Sequence, residues 1–236
     1  MNVTKAINSP LAFTVNSFGP LDLPNLKVWL DANDLSTITK DGSNAVSSWA
    51  DKSGNGYDVI QGTATQQPIY NINGFGTASK PYISFDGLND TLINAPITWG
   101  GSDNLFIVCK INDVIGSQII TASIATSHQS FIASGGGLNS FNGSVLTAGT
   151  VVSGTPFMFN TLYNGVNSDI QLNNNAIVSG DSGIINNTLS LRIASVDYGV
   201  GFYANIDIVE IIISGELIPQ ERIDLNNYAN AKYGIY

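Results

Sequence analysis

Three polar residues in one strand-like stretch have a spacing that could support glycoside hydrolysis. In NIDIVE, a strand with one bulge would place Asn205, Asp207 and Glu210 on a common face. A retaining glycosidase needs two carboxyl groups about 5–5.5 Å apart, one as nucleophile and one as general acid. Asn205, the first of these three residues, carries an amide, and an amide cannot serve as that nucleophile. We therefore interpret the stretch as a core strand with one acid at its edge, and we predict no catalytic residue.

Calcium binding is a second chemistry open to this sequence. The loop DGLND offers Asp86, Asn89 and Asp90, and DAND offers Asp31 and Asp34. Ca²⁺ prefers such oxygen ligands, although neither loop follows the twelve-residue calcium-loop pattern. The same residues are also ordinary turn formers. A calcium ion at the first loop and a plain turn are thus both kept, and no other metal or cofactor is expected.

Sugar binding is a third chemistry, because aromatic faces stack on sugar rings while polar side chains bond the hydroxyl groups. Four aromatic residues lie in or beside polar loops: Trp99 in ITWGGSDN, Tyr163 in LYNG, and Tyr198 and Tyr203 in VDYGVGFYAN. We take these four as candidate ligand-binding residues, with loop or core packing as the alternative for each. Trp29, inside the apolar run LKVWL, is predicted to lie in the core.

Composition excludes several other functions. The net charge is −9, and the nine lysines and arginines are scattered singly, so no basic patch is available for nucleic acid. His128 is the single histidine, which rules out a His-rich metal site within one chain. Cys109 is the single cysteine and is predicted to be a buried thiol in LFIVCKI.

Targeting signals are also missing from the sequence. The stretch MNVTKAINSPLAFTVNSFG is a poor signal peptide, and no apolar run reaches the eighteen residues of a membrane span. We expect synthesis in a cytoplasm, no membrane insertion, and release by a route other than signal-directed secretion.

The elements that would position these residues are mainly strands. Runs rich in β-branched and aromatic residues alternate with Gly, Asn, Asp and Ser turns, which predicts an all-β sandwich. The runs are LKVWL, YISFD, NLFIVCKI, SQIITAS, QSFIA, PFMFNTLYNG, SDIQLNNNAI, LSLRIAS and ANIDIVEIIIS. The last twenty residues predict one helix, with Pro219 at its first position and Gly234 just beyond its end.

The stretch SSWADKSGNGYDV combines a large aromatic residue with loop residues. Val46 and Trp49 are three residues apart, so a bulge or turn is needed to bring Trp49 inward. Asp51 can accept backbone N–H groups of the turn, while Gly54 and Gly56 can supply positive φ. We interpret this loop as a structural seam of the fold and expect Trp49 to serve stability before ligand binding.

Three stretches carry a resemblance to a known family. The first is LKVWLDAND with VSSWADKSGNGYDV and QQPIYNINGFGTASKPYISFDGLNDTL, the second is the hairpin FNTLYNGVNSDIQLNNNAI, and the third is the ending YANIDIVEIIISGELIPQERIDLNNYANAKYGI. They resemble laminin-G-like, concanavalin-A-like domains over residues 26–236. The resemblance implies a jelly-roll sandwich of two antiparallel sheets with a short C-terminal helix. Glucanases of this fold carry a Glu-x-Asp-x-(x)-Glu strand motif, which NIDIVE matches only at Asp207 and Glu210.

The resemblance and the composition lead to a functional expectation. Charged residues are 11% of the chain, and Asn (27 residues), Gly, Ser and Thr dominate the polar positions, as in bacteriophage virion proteins. We expect a non-enzymatic virion protein, a fibre, decoration or tail-associated component, that binds host surface glycans. Residues 1–25 would be an anchor to other virion proteins or to sister subunits, with a disordered leader as the alternative.

Other settings and activities stay open at this stage. A homo-oligomer is expected, with a trimer among the options. The chain could instead be a bacterial carbohydrate-binding module in the cytoplasm or at the cell surface, a polysaccharide hydrolase with an atypical site, or a purely structural virion component.

Overall fold

A computed structural model describes residues 18–98, 100–116, 118–122, 128–184, 188–196 and 202–236. Within these ranges lie nineteen strands and one α-helix. The strands are β1 (Leu26–Asp31), β2 (Ile38–Lys40), β3 (Val46–Trp49), β4 (Val59–Ile60), β5 (Ile69–Phe75), β6 (Lys80–Asp86), β7 (Leu92–Asn94), β8 (Ile97–Thr98), β9 (Asp103–Ile111), β10 (Gln118–Ala122), β11 (Gln129–Ile132), β12 (Gly137–Phe141), β13 (Val145–Thr150), β14 (Pro156–Tyr163), β15 (Ser168–Leu172), β16 (Val178–Gly180), β17 (Thr188–Leu189), β18 (Arg192–Ile193) and β19 (Asn205–Gly215). The helix is α1 (Pro219–Tyr233).

The strands form two large antiparallel sheets. Sheet A has the order β16-β15-β14-β9-β19-β6-β5, and β1 pairs with the part of β19 beyond the end of β6. Sheet B has the order β13-β12-β11-β10-β18-β7-β4-β3-β2, and β8 pairs with β17 separately. The two sheets share one hydrophobic core, so the predicted jelly-roll sandwich with a C-terminal helix is confirmed.

Alternation along the strands builds the core between the sheets. Ile206 and Ile208 of β19 and Cys109 of β9 face sheet B, where Trp49 of β3 meets them in the same cluster. All four side chains have 0% exposure. The prediction that Cys109 is a buried thiol is confirmed, and burial also raises the pKa of that thiol well above its ordinary value.

A second core lies on the outer face of sheet A, under the helix. Phe106, Val108 and Val209 pack there against Leu225 and Ala229 of α1. Strands β9 and β19 are therefore buried on both faces, which explains why their sequences are continuous apolar runs. The described residues contain no helix long and apolar enough to cross a membrane.

The ends of α1 match the sequence signals. Pro219 occupies the first helical position, where its missing N–H removes no helical hydrogen bond. Gly234 ends the helix with φ 64°, and its N–H donates to the carbonyl of Asn230 at 2.8 Å. The predicted helix is confirmed.

Trp29 was predicted to lie in the core, but it packs only half-buried against the second core, under the helix, and not in the core between the sheets. In β1 the side chains of Val28 and Leu30 point into that core, so the intervening Trp29 faces the opposite side of sheet A. There Trp29 is half-buried against the second core, with Lys52 Nζ 4.3 Å from its ring centroid. Although β1 is apolar, the Trp29 side chain makes a polar contact, because its Nε1–H donates to Glu210 at 2.8 Å.

The loop after Trp49 has the structural role that was predicted. A register shift between Thr39 and Lys40 interrupts the β2–β3 pairing, and Trp49 points inward with 0% exposure. The Asp51 carboxylate accepts the N–H groups of Trp29 at 2.9 Å, Ser53 at 2.9 Å and Tyr57 at 3.1 Å. The carboxylate thereby ties this loop to strand β1.

The described end of segment 1–25 packs against the sandwich. Residues 20–22 form a 3₁₀ turn, and Leu23 is 5% exposed within the second core. Residues 1–17, where most of the predicted anchor falls, lie outside the described residues.

Candidate functional site

Glu210 is sealed beneath the helix. A bulge, the feature that a common face for Asp207 and Glu210 would require, occurs between Ile208 and Glu210, and the Glu210 side chain points toward α1. The carboxylate has 0% exposure and accepts hydrogen bonds from Trp29 Nε1 at 2.8 Å, Tyr228 at 2.8 Å and Tyr233 at 2.9 Å. Lys232 Nζ approaches it at 3.1 Å. Burial raises the pKa of Glu210, although the Lys232 charge opposes that rise.

Asp207 is equally occupied by its neighbours. Its carboxylate pairs with Lys110 at 2.7 Å and accepts from Ser84 at 2.8 Å and Asn112 at 3.1 Å. The Asp207 side chain is 4% exposed. With both acids enclosed and fully bonded, neither can approach a glycosidic oxygen in this conformation.

The acidic loops are bonded internally. Asp86 Oδ1 accepts the N–H groups of Leu88 at 2.8 Å and Asn89 at 3.2 Å, and Asp90 Oδ2 accepts the Asp86 N–H at 3.0 Å. Among the described residues, no three His, Cys, Asp or Glu side chains lie together as a metal cluster. Calcium at Asp86, Asn89 and Asp90 stays a prediction, which a carbonyl-rich coordination sphere would have to complete.

The carboxylates of the second acidic loop, Asp31 and Asp34, form ion pairs with lysines. Asp31 receives Lys232 at 3.0 Å and Lys52 at 3.4 Å, and Asp34 receives Lys52 at 3.0 Å. Two ammonium groups at these distances already neutralise the carboxylates that a metal ion would need.

Asp90 is a carboxyl group whose burial is only partly compensated. It is 7% exposed, and desolvation together with the nearby Asp86 charge raises its pKa to about 6, from an ordinary 3.8. The folded state therefore binds this proton more tightly than the unfolded chain does. The resulting stabilisation is present below pH 3.8 and is lost as the pH rises through about 6.

Replacing Asp90 with asparagine should consequently stabilise the protein at neutral pH. The amide oxygen can still accept the Asp86 N–H, while the buried charge is gone, so we expect a gain of about 1–3 kcal/mol at pH 7. Urea unfolding at pH 7 and pH 4 measures this gain, which should disappear at the lower pH. Asp181→Asn is the control, because Asp181 is exposed and also accepts one backbone N–H, from Gly183. A gain of equal size at both pH values would contradict the explanation.

The four candidate aromatic residues have different outcomes. Tyr163 has 0% exposure, and its hydroxyl donates to the Gln129 carbonyl at 2.9 Å, so it cannot contact a ligand as predicted. It lies inside because β14 alternates toward sheet B at that position. Trp99 and Tyr198 lie outside the described residues.

Tyr203 is half-buried and lies at the same end of the sandwich as the Asp86 loop. The backbone of Tyr203 forms an isolated antiparallel β-bridge with Ser195, and the Ser195 hydroxyl is 2.6 Å from the Thr91 hydroxyl. Two residues after Tyr203, β19 begins at Asn205, which pairs with Asp86. The structure thus brings Tyr203 and the calcium-candidate loop together, which the sequence did not indicate. Whether this end binds a ligand remains a prediction.

A different place combines a concave shape with free polar groups. We call it the seam cavity; it measures about 360 Å³ and lies where the edge strand β5 of sheet A meets the β2–β3 turn of sheet B. This volume falls at the lower end of the range for small-molecule sites. Its lining consists of Leu35, Lys40, Asn44, Tyr70, Asn71, Ile72 and Asn73.

One wall of the seam cavity is the tight turn between β2 and β3. Asp41 Oδ1 accepts the N–H groups of Ser43 at 2.8 Å and Ala45 at 2.9 Å, which holds the turn closed. Asn44 occupies the left-handed region with φ 68°, a conformation that asparagine tolerates better than most residues. Its carbonyl then accepts the Tyr70 N–H at 2.9 Å, joining this turn to β5.

The opposite wall is an irregular part of β5. The β5–β6 pairing shifts register between Asn71 and Phe75, so the intervening residues leave the ladder. Ile72 is 70% exposed and Asn73 is exposed as well. Bulges of this kind re-aim side chains and are common beside binding sites. Tyr70, by contrast, is anchored in the core and is 4% exposed.

Several polar atoms of the seam cavity have no protein partner within the described chain. Lys40 Nζ donates to Asn44 Oδ1 at 2.6 Å, since an ammonium group can only donate and must therefore face the amide oxygen. The Asn44 Nδ2 has no hydrogen-bond partner in the described chain. Asn71 Nδ2 donates to the Ile69 carbonyl at 3.2 Å, which leaves its Oδ1 free. The Asn73 amide and the Tyr70 hydroxyl have no hydrogen bond to the described residues. These atoms are available to a ligand rich in hydroxyl groups.

Other grooves lined by described residues have their charged groups already paired. A 500 Å³ groove beside Phe18 includes Lys232, which is bound to Glu210, and a 430 Å³ groove includes Lys110, which is bound to Asp207. A 340 Å³ groove contains the Arg222–Asp169 pair at 2.7 Å. The seam cavity is smaller than the first two of these grooves and similar in volume to the third, but several of its polar atoms have no partner in the described chain.

Sequence reasoning missed the seam cavity for a physical reason. Tyr70, Asn71 and Asn73 form the local pattern YNIN, but Lys40 and Asn44 come from a separate turn of the chain. Their convergence depends on the contact between an edge strand and a hairpin of the other sheet. A tyrosine followed by two alternating asparagines was the local signal that could have drawn attention to β5.

Comparisons with known proteins establish the fold. No family model and no curated protein matches this chain. Among solved structures, the binding domain of Paraclostridial Mosquitocidal Protein 1 is similar, with TM-score 0.63 and 13% identity over 90% of this chain and 54% of that chain. Trypanosoma rangeli sialidase in complex with 2,3-difluoro-KDN aligns with TM-score 0.60 and 10% identity over 88% of this chain and 33% of that chain.

A third structure is matched along almost its whole length. Domain 4 of AbnA, an extracellular GH43 arabinanase from Geobacillus stearothermophilus, in complex with arabinotriose, aligns with TM-score 0.59 and 12% identity over 86% of this chain and 98% of that domain. The chain therefore spans about a third of the sialidase and half of the mosquitocidal binding domain, but it corresponds to a complete domain of the arabinanase. The chain has the fold of a lectin-like jelly-roll sandwich.

Proposed function

We propose that this protein is a non-enzymatic carbohydrate-binding domain whose ligand site is the seam cavity. The observation that carries the proposal is the convergence of Tyr70 with the amide groups of Asn44 and Asn71, each of which has one free polar atom, and with the free amide of Asn73, in one concave place. Sugar hydroxyl groups need both donors and acceptors, and amides provide both. Leu35 and Ile72 add apolar surface for the C–H faces of a sugar ring.

The absence of catalytic carboxylates in the cavity supports binding over hydrolysis. Its seven lining residues include no acid, whereas glycoside hydrolysis generally requires two. The fold also occurs in domain 4 of the arabinanase, which was solved with arabinotriose, and in a botulinum neurotoxin serotype D ligand-binding domain solved with N-acetylneuraminic acid. Those ligands support a sugar as the general class of partner.

Binding tests on matched amide variants examine this proposal. Asn73→Ala should weaken binding to a glycan-array hit about 5- to 30-fold, since one or two hydrogen bonds of about 1 kcal/mol each are lost. Asn174→Ala is the control, because Asn174 is also an exposed asparagine but lies outside the cavity. Titration calorimetry on the full chain gives the affinities. Equal weakening in both variants, or no hit on the array, would refute the proposed site.

Hydrolysis is examined separately with the same glycans. We expect no release of reducing sugar by the wild-type chain. Release that disappears in Asp207→Asn or Glu210→Gln, in folded variants, would restore the alternative of a hydrolase with an atypical site.

For the biological setting we propose a virion component that attaches to host surface glycans, as a fibre, decoration or tail-associated protein in a homo-oligomer. The support is compositional, namely 11% charged residues and a chain rich in amide and hydroxyl side chains. Detection of the protein in purified particles tests the setting, and a gene neighbourhood without capsid or tail genes would favour the bacterial carbohydrate-binding module instead.

A further inference from the structure

We propose that the seam cavity selects sugars that carry a carboxylate, with Lys40 as the group that binds it. This inference rests on the proposed function, because it names the ligand class of the same cavity. The ligands concerned are hexuronic acids and nonulosonic acids, which share an ionised carboxylate beside ring hydroxyl groups.

The first argument is that Lys40 lines the cavity and has no carboxylate partner in the described chain. Five other cations of the described chain lie within ion-pair distance of a carboxylate: Lys27 with Asp103 at 2.6 Å, Lys52 with Asp34 at 3.0 Å, Lys110 with Asp207 at 2.7 Å, Arg222 with Asp169 at 2.7 Å and Lys232 with Asp31 at 3.0 Å. Lys40 instead donates to a neutral amide, that of Asn44. Its positive charge is therefore not neutralised by an acid of the described chain.

The second argument is that the turn beside Lys40 keeps its own acid occupied. The adjacent Asp41 carboxylate accepts the N–H groups of Ser43 and Ala45, which orients it toward the turn backbone. Asp31, the acid that affects the pKa of Tyr70, receives Lys52 and Lys232. An incoming carboxylate would thus meet a lysine whose neighbouring acids already have partners.

The third argument is the supply of hydrogen-bond donors around the ammonium group. Lys40 Nζ is held by Asn44 and lies 5.8 Å from the Tyr70 ring centroid, so it is positioned at the cavity wall. It has two further N–H groups, and the free Nδ2 of Asn44 adds two more. A carboxylate only accepts hydrogen bonds, so a donor-rich corner fits it better than a neutral hydroxymethyl group.

The test uses two pairs of ligands in which methyl esterification removes the charge of the carboxylate. One pair is trigalacturonic acid and its methyl ester, and the other is the methyl glycoside of N-acetylneuraminic acid and its methyl ester. We expect the acid of at least one pair to bind about tenfold more tightly than its ester, measured by titration calorimetry on the full chain. The preference should shrink as salt is raised, because Lys40 is only partly buried.

Three variants locate the effect. Lys40→Gln should abolish the preference for the acid, while Lys40→Arg should retain most of it because the positive charge remains. Lys80→Gln is the control, since Lys80 is similarly half-buried but does not line the cavity. Thermal melting confirms that each variant is folded.

The two proposals fail in different ways. If acid and ester bind equally and Asn73→Ala weakens both, the cavity binds sugars but the acidic preference is refuted. If Lys40→Gln keeps the full preference, Lys40 is not the anchor and the inference is wrong. If neither acid nor ester binds and the glycan array is also empty, the proposed function itself falls, and this inference with it.

Discussion

Glu210→Ala should lower the free energy of unfolding by about 3–5 kcal/mol. The wild-type carboxylate has 0% exposure and accepts from Trp29, Tyr228, Tyr233 and Lys232. Removing it takes the shared acceptor away from the Trp29, Tyr228 and Tyr233 donors and weakens the attachment of α1 to β19, so the loss exceeds that of a single hydrogen bond. Urea denaturation followed by tryptophan fluorescence measures the change.

Two matched variants separate the causes of this loss. Glu210→Gln keeps the volume and one acceptor oxygen but removes a charge whose burial already raises its pKa, so we expect a smaller loss of about 1–2 kcal/mol. Glu216→Ala removes an exposed glutamate that accepts from Asn164 and Ser102, and it should cost less than 1 kcal/mol. A Glu210→Ala protein as stable as the wild type would show that the network does not hold the helix.

This result also bears on the enzymatic alternative. Catalytic acids are often held at some cost to stability, so replacing one is commonly neutral or stabilising. A large loss on removing Glu210 would identify it as a structural residue whose carboxylate is occupied by hydrogen bonds within the protein. The spacing of Asp207 and Glu210 would then reflect their structural contacts, with Asp207 pairing with Lys110 of β9 and Glu210 bonding to α1.

Trp49→Ala is expected to destabilise the protein by about 3–5 kcal/mol. The Trp49 side chain has 0% exposure and lies in the core between the sheets, so its removal leaves a large cavity that the sandwich can only partly close. Its indole N–H has no hydrogen-bond partner in the described chain, so the loss comes from packing rather than from a broken polar contact. Differential scanning calorimetry measures the shift.

Trp49→Phe provides the matched control. Because no hydrogen bond is sacrificed, the aromatic replacement should cost only about 1–2 kcal/mol, the part due to lost volume. Binding to the glycan-array hit should stay unchanged in the folded fraction of both variants. If Trp49→Ala melted like the wild type yet lost its ligand, the interpretation of the loop after Trp49 as a structural element and not a binding loop would be wrong.

Local signals in the sequence were sufficient where one short stretch contained the whole determinant. Pro219 and Gly234 marked the helix ends because their backbone preferences act on a single turn. The run around Cys109 indicated a strand with a buried thiol, and the structure has a bulge of the kind that a common face for Asp207 and Glu210 requires. Each of these features depends on residues that are near neighbours in the chain.

The predictions about individual side chains failed where sheet packing decided the direction. Trp29 was predicted for the core, but alternation with Val28 and Leu30 sent it to the helix side. Tyr163 was predicted to contact a ligand, but the same alternation in β14 placed it inside the sandwich. A one-residue change in phase exchanges the two faces of a strand, and composition alone does not fix that phase.

The sequence by itself determined the class of fold, the terminal helix, the buried thiol and the structural loop at Trp49, because periodicity and turn chemistry are local properties. Only the tertiary structure decided that Glu210 lies under α1 and that Lys40 and Asn44 meet Tyr70, Asn71 and Asn73 at the seam between the sheets. Asn44 and Tyr70 are 26 residues apart (70 − 44), and the other pairs across the cavity are further apart, so their meeting depends on how an edge strand packs against a hairpin of the other sheet. Sites of this kind arise from long-range packing, so they become visible only when both sheets are in place.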